Sequence, residues 1–152
     1  MVDDIIDGSK TRRGEPCWYT YKDVGLGALN DSVLIEQGIF AILRKHFSKL
    51  PMYVPTIELF HETILKTAMG QCLDVMSMRG DQPNLDQFTM KRYEAIVKYK
   101  TSFYSCILPV ALGMYLANKF DLEMHRQAKT ILMEMGQYFQ IQVRFRKSWH
   151  FS

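Results

Sequence analysis

Several classes of protein are ruled out by what this chain has little of. Among 152 residues there are three cysteines, Cys17, Cys72 and Cys106, far apart and with no metal-binding spacing. They read as free thiols of a reducing compartment and not as a disulfide framework. The four histidines, His46, His61, His125 and His150, share no i, i+4 partner and lie near no cysteine, so none is assigned to a metal. A net charge of +3 is too small for nucleic-acid binding, which needs a concentrated basic face. The N-terminus carries acids where a signal peptide would place basic residues and an apolar run. The longest apolar stretch, Cys106 to Ala117, contains Pro109 and Gly113 and is too short to cross a bilayer, so no membrane span is expected. Strand-like alternation is absent too.

What is present is ordinary for a globular protein, with 47% hydrophobic and 23% charged residues, enough for one domain. From Gly8 to Gly27 the chain is polar and turn-rich, and Trp18, Tyr19 and Tyr21 are expected to pin this loop. Gly25-Leu26-Gly27 superficially matches a dinucleotide fingerprint, but the last glycine is missing and no strand is expected before it. Apolar residues then recur at helical spacing. A first long helix, capped by Asn30 or Asp31, runs from Val33 to Phe47 and stops before Pro51. A second follows Pro55 with a wide apolar stripe from Ile57 to Met76. Arg79-Gly80-Asp81-Gln82-Pro83-Asn84 reads as a turn, its Arg-Gly-Asp a coincidence. Thr89 caps a third helix, which Pro109 should kink on the way to Ala117. A fourth begins near Asp121 and runs through Ile141. The class is all-α, with antiparallel helices joined by short polar turns. The ten methionines read as core filling.

Chemistry concentrates at the N-terminus, in Asp3-Asp4-Ile5-Ile6-Asp7 and Thr11-Arg12-Arg13-Gly14. In a helix Asp3 and Asp7 stand one above the other, a poor pair unless a cation lies between them. Mg²⁺ suits them, since it takes oxygen ligands from one or two carboxylates and completes its shell with waters and substrate phosphates. Guanidinium forks suit the phosphates. The alternative is a solvated acidic turn followed by a basic one. Further along, Gln71 and Asp74 share one helix face in an apolar segment, Lys100 and Thr101 interrupt the third helix, and Phe139 and Gln140 end the fourth. Buried polar groups of this kind either bond to one another or face a wet cavity.

Taken together, these motifs with Cys17-Trp18-Tyr19, Gly70-Gln71-Cys72-Leu73-Asp74, Lys98-Tyr99-Lys100-Thr101 and Phe139-Gln140-Ile141-Gln142 resemble the animal-type farnesyl diphosphate synthases of the trans-isoprenyl diphosphate synthase family. The resemblance covers residues 1–142, which correspond to the middle of the family's usual length. It implies a partial isoprenoid-synthase bundle around a central cavity, usually a cytoplasmic homodimer. The implied reaction condenses isopentenyl diphosphate with dimethylallyl and then geranyl diphosphate. It also implies Mg²⁺ at Asp3, Asp4 and Asp7, and substrate diphosphates at Arg12, Arg13 and Lys100. Thr101 and Gln140 would lie near the allylic carbocation, Gln71 and Asp74 in the allylic pocket, and Phe139 in the homoallylic site. A second aspartate-rich motif is expected after Gln142, where this chain has Val143, Arg144 and Lys147. Residues 143–152 read as a divergent tail. The chain alone is therefore expected to lack activity. The alternative is a non-catalytic fragment that binds diphosphate or pairs with a full-length relative.

Overall fold

The computed structural model describes residues 1–77 and 89–149, with side chains through residue 143. The Arg-Gly-Asp turn and the last residues of the tail lie outside the described residues. The chain divides into two compact units, Met1–Tyr53 and Val54–Ser152.

In the first unit a short helix α1 (Val2–Ile6) ends at Asp7, whose amide donates to the Asp3 carbonyl at 2.9 Å. A small hairpin follows, β1 (Thr11–Arg12) against β2 (Glu15–Pro16), with Arg12 opposite Glu15. Its two-residue turn, Arg13 and Gly14, has φ of +57° and +88°, the positive angles a type I′ turn requires. No strand is expected from the sequence at this point, because Arg at the first turn position lacks the Asn or Asp signal of such turns. The expected aromatic pins are present. Tyr19 donates its hydroxyl to the Ser9 carbonyl at 2.8 Å, and Trp18, packed against Tyr21, donates its indole N–H to Asp31 at 2.8 Å.

That last bond corrects the expected cap of the first long helix, α2 (Ala28–Phe47). A 3₁₀ turn at Gly25–Gly27 already has helical angles at Gly27 and feeds straight into α2, so no side chain caps its start. Asp31 is inside the helix and serves Trp18 instead. Along α2 the residues Val33, Leu34, Ile35 and Ile42 are more than half exposed. The segment Gly25–Phe47 is also long and apolar enough, at mean hydropathy 1.3, to cross a bilayer by length and composition alone. It is a different segment from Cys106–Ala117, the longest uninterrupted apolar stretch in the sequence.

The second unit is built on α3 (Tyr53–Ser77). It starts before Pro55, which is tolerated in a first turn because the missing amide would have no partner there. Thr89 caps α4 (Met90–Val97) as expected, its Oγ1 accepting from the Arg92 amide at 3.2 Å. The third helix then departs from the α form. Lys98–Ile107 is a π-helical stretch, and only at Leu108–Leu116 does the α pattern resume, as α5. Pro109 sits in the first turn of α5, where it cannot donate upstream, and the ladder before it is widened, with the Leu108 amide reaching back to the Phe103 carbonyl. Two hydroxyls support the wide turns. Ser105 Oγ donates to the Thr101 carbonyl at 2.6 Å and Ser102 Oγ to that of Val97 at 3.3 Å. The last helix, α6 (Leu122–Trp149), is started by Asp121, whose carboxylate accepts from the Met124 amide at 2.8 Å. It continues beyond the expected end at Ile141, through the backbone of the divergent tail.

The core of this unit is Ile96, Val97, Phe103, Ile107 and Ala111, with Thr63, Thr101 and Ser102 buried beside them. Two glycines set the spacing. A Cβ on Gly70 of α3 would overlap the backbone nitrogen of Lys100, and one on Gly136 of α6 would overlap the Ser102 hydroxyl. The π-helical stretch is thus held by a backbone-close contact from α3 and another from α6.

Candidate functional site

The N-terminal cluster is organised by Asp4, which is buried, whereas Asp3 is partly exposed and Asp7 exposed. Spacing alone makes the three carboxylates equivalent; the hairpin does not. It returns Arg12 over α1, where Nε donates to Asp4 Oδ1 at 2.8 Å and Nη2 makes a short bond to the same oxygen, while Asp3 Oδ2 lies 3.6 Å from Nη2. Arg13, at the turn apex, is exposed and makes no ion pair among the described residues. The Arg12 hydrogen bond holds the Asp4 carboxyl below the usual range in spite of burial. Burial, and then the Asp4 charge, push the neighbouring Cys17 thiol up, which makes this cysteine a poor nucleophile at neutral pH.

A pH dependence follows. Because the Asp4 pKa is lower in the folded chain than in the unfolded one, its pairing stabilises fully above the ordinary carboxylate range. That contribution is lost as pH falls through the folded-state pKa. Arg12→Gln should therefore lose stability at neutral and alkaline pH and change the acid limb, its deficit shrinking as pH falls through the carboxylate range, read by circular dichroism. An unchanged acid limb would show that the pair contributes nothing.

Among the described residues no three His, Cys, Asp or Glu side chains are gathered as a ready metal cage. The donor set still fits Mg²⁺. Asp3 and Asp7 bracket one helical turn and offer two hard oxygen donors, which is what this ion takes from protein when phosphates and waters supply the rest. Asp4, committed to Arg12, fits as a neighbour that orients the arginine.

In the second unit the expected polar residues bond to one another. Lys100 donates to Asp74 Oδ2 at 2.5 Å, both side chains being about three-quarters buried. Gln140 Nε2 donates to Thr101 Oγ1 at 2.5 Å. The Gln71 side-chain nitrogen is buried without a hydrogen-bond partner among the described residues, which is costly for a protein donor and suits one awaiting a ligand. Phe139 lies half exposed near the end of the described side chains. Sequence reasoning gave no packing role to Gly70, Gly136 or Ser102, although a glycine inside a strong helical pattern is itself a sign of close packing. It also missed the π-helical form of the segment bearing Lys100 and Thr101, a form frequent at functional sites.

The acidic turn with its returning arginines, and the lysine and threonine on a widened helix, are the parts by which a class can be assigned. A family model for polyprenyl synthetase matches residues 1–142, and the chain belongs to that family. Within it, the chain is 49% identical over 142 residues to the farnesyl pyrophosphate synthase of Gallus gallus and 46% identical to that of Schizosaccharomyces pombe. Each alignment takes in 93% of this chain, but only 39% and 41% of the respective relative. The chain therefore spans about two-fifths of these relatives' length. Among solved structures, the T. brucei farnesyl diphosphate synthase complexed with homorisedronate superposes with a TM-score of 0.84 at 35% identity, over 93% of this chain and 43% of that one. The all-α class read from the sequence is borne out.

Proposed function

We propose that residues 1–142 are the central portion of a prenyltransferase that joins isopentenyl diphosphate to dimethylallyl and geranyl diphosphate to give farnesyl diphosphate. The observation that carries this reading is the hairpin that lays Arg12 against the acidic helix, in a chain of the polyprenyl synthetase family. Arg12 and Arg13 bind diphosphate oxygens as forks, with Arg13 already open to solvent. Lys100 adds a point charge on the allylic diphosphate. Asp3 and Asp7 hold Mg²⁺, which when bound supplies positive charge to the departing diphosphate. As the allylic C–O bond breaks, Thr101 Oγ1, accepting from Gln140, turns a lone pair towards the developing cation, and Gln71 and Asp74 line the pocket. Phe139 belongs to the homoallylic side. Enclosure excludes water that would quench the cation.

For this chain alone we propose a diphosphate-binding, non-catalytic state. Val143, Arg144 and Lys147 occupy the sequence positions where the family's second aspartate-rich motif carries carboxylates, so the metal ligands of that motif are lacking. The exposed apolar face of α2 supports pairing, with a second copy or with a full-length relative, in a cytoplasmic setting. The test uses the purified chain with Mg²⁺, geranyl diphosphate and isopentenyl diphosphate. The expected result is Mg²⁺-dependent binding of geranyl diphosphate, lost in the Asp3→Asn/Asp7→Asn variant, and no farnesyl product. Product formation would overturn the non-catalytic reading, and binding indifferent to Mg²⁺ would overturn the metal assignment.

A further inference from the structure

We propose that the face of the π-helical stretch turned away from Lys100 carries a second anion site, built to take a phosphoryl group. Lys98 and Lys100 are two residues apart and do not share a helix face. Lys100 is committed to Asp74 of α3, whereas the Lys98 ammonium lies 5.3 Å from the Tyr99 ring centroid. Tyr99 stacks on Phe103 at 6.0 Å. Two further ammoniums approach the Phe103 ring, Lys66 of α3 at 4.2 Å and Lys129 of α6 at 5.6 Å. With Arg126, these side chains line an open groove of about 350 Å³ that contains no carboxylate in its wall.

The charge balance of this groove is incomplete. Lys66 is paired with Glu62 and Arg126 with Glu123, both carboxylates outside the groove wall. Lys98 and Lys129 make no ion pair among the described residues. Their ammoniums repel each other and the cationic heads of Lys66 and Arg126, and the aromatic faces offset part of that cost while holding the lysine heads in place. Lysines held in this way lose less freedom when an anion arrives. A carboxylate carries one charge and would leave the second lysine uncompensated. A phosphate monoester or a diphosphate carries two or more charges and several acceptor oxygens, which suits the two ammoniums of Lys98 and Lys129. Such a group could come from a soluble phosphate compound or from a lipid headgroup.

The test is an NMR titration of the full chain with inorganic diphosphate in EDTA, following backbone amides. Shifts at Lys98, Tyr99 and residues 126–130 are expected to saturate together, independently of those at Arg12 and Arg13. With Mg²⁺ in place of EDTA the Arg12 and Arg13 set should appear as well, and its absence there would count against the proposed diphosphate role of the N-terminal cluster and leave this site standing. In Lys98→Ala/Lys129→Ala, both exposed positions, the first set should weaken roughly tenfold in Kd and the Arg12 and Arg13 shifts obtained with Mg²⁺ should persist. Lys98→Arg/Lys129→Arg should retain binding. Vesicles of phosphatidylcholine with and without phosphatidic acid form the second arm. Sedimentation only with phosphatidic acid, lost in the alanine variant, without response to free diphosphate, assigns the headgroup as the source. No response to either probe, or an equal response in the alanine variant, overturns the site.

Discussion

Gly70→Ala is expected to destabilise the chain by about 2 kcal/mol and lower its Tm by roughly 4–8 °C. The sign is contrary to the usual one, since alanine in place of an interior helical glycine gains about 1 kcal/mol. What reverses it is the neighbour. The new methyl would overlap the Lys100 amide nitrogen and Cα and the Tyr99 carbonyl carbon, all backbone atoms that no rotamer change can move. Overpacking costs about 1–3 kcal/mol, and a backbone obstacle sits at the upper end of that range. Gly38 supplies the internal comparison. It lies within α2 with nothing within 4 Å of its Cβ position, so Gly38→Ala should raise stability by about the propensity difference. Thermal unfolding followed by circular dichroism reads both. If Gly70→Ala proves as stable as Gly38→Ala, α3 and the π-helical stretch are not packed backbone to backbone at Gly70.

The consequence reaches the site, because the atoms Gly70 admits are those of Lys100. A displaced backbone there carries the ammonium away from Asp74 and alters Thr101, whose hydroxyl accepts from Gln140. Gly136 makes the same argument from α6 with a softer obstacle, the Ser102 hydroxyl, and its alanine variant should cost less.

Which features could be read from the sequence follows from whether their cause is local. Thr89 and Asp121 cap helices by bonds to amides three residues on, so sequence alone locates them. Trp18 and Tyr19 pin the loop as expected, since large aromatic side chains in a polar, turn-rich stretch need a surface to cover. The pairings of Lys100 with Asp74 and Thr101 with Gln140 satisfy the rule that polar residues in apolar helix faces find one another. Three features depend on non-local geometry and were not legible. The hairpin at Arg13 and Gly14 lacks the usual Asn or Asp at its first turn position and goes with the return of Arg12 to Asp4. The burial of Asp4, and not of Asp3 or Asp7, depends on that same return. The π-helical form has no period of its own in the sequence; it lies just before Pro109 and is pressed by glycines of α3 and α6 at Lys100 and Ser102.

Asp74→Asn is expected to tighten the binding of inorganic diphosphate at Lys100, in the absence of Mg²⁺, by roughly tenfold in Kd. The reasoning begins with competition. Lys100 and Asp74 form a 2.5 Å pair, each about three-quarters buried, so the ammonium has already exchanged much of its water for a carboxylate. An incoming phosphate oxygen must share or displace that carboxylate, and the Asp74 charge repels it besides. Asparagine keeps the shape and one acceptor oxygen but removes the charge, leaving Lys100 oriented and less compensated. Lys100→Ala acts in the opposite sense, removing the cation and leaving Asp74 to repel the ligand. The amide of Lys100 in the same NMR titration separates this response from those at Arg12 and at Lys129. Weaker or unchanged binding in Asp74→Asn would mean that the carboxylate positions the lysine for its anion and does not compete for it. The two roles differ in what Mg²⁺ should do. A competing carboxylate is most costly when no cation is present to neutralise it, so the advantage of Asp74→Asn should shrink as Mg²⁺ is added, whereas a purely positioning carboxylate gives a defect that the ion leaves unchanged.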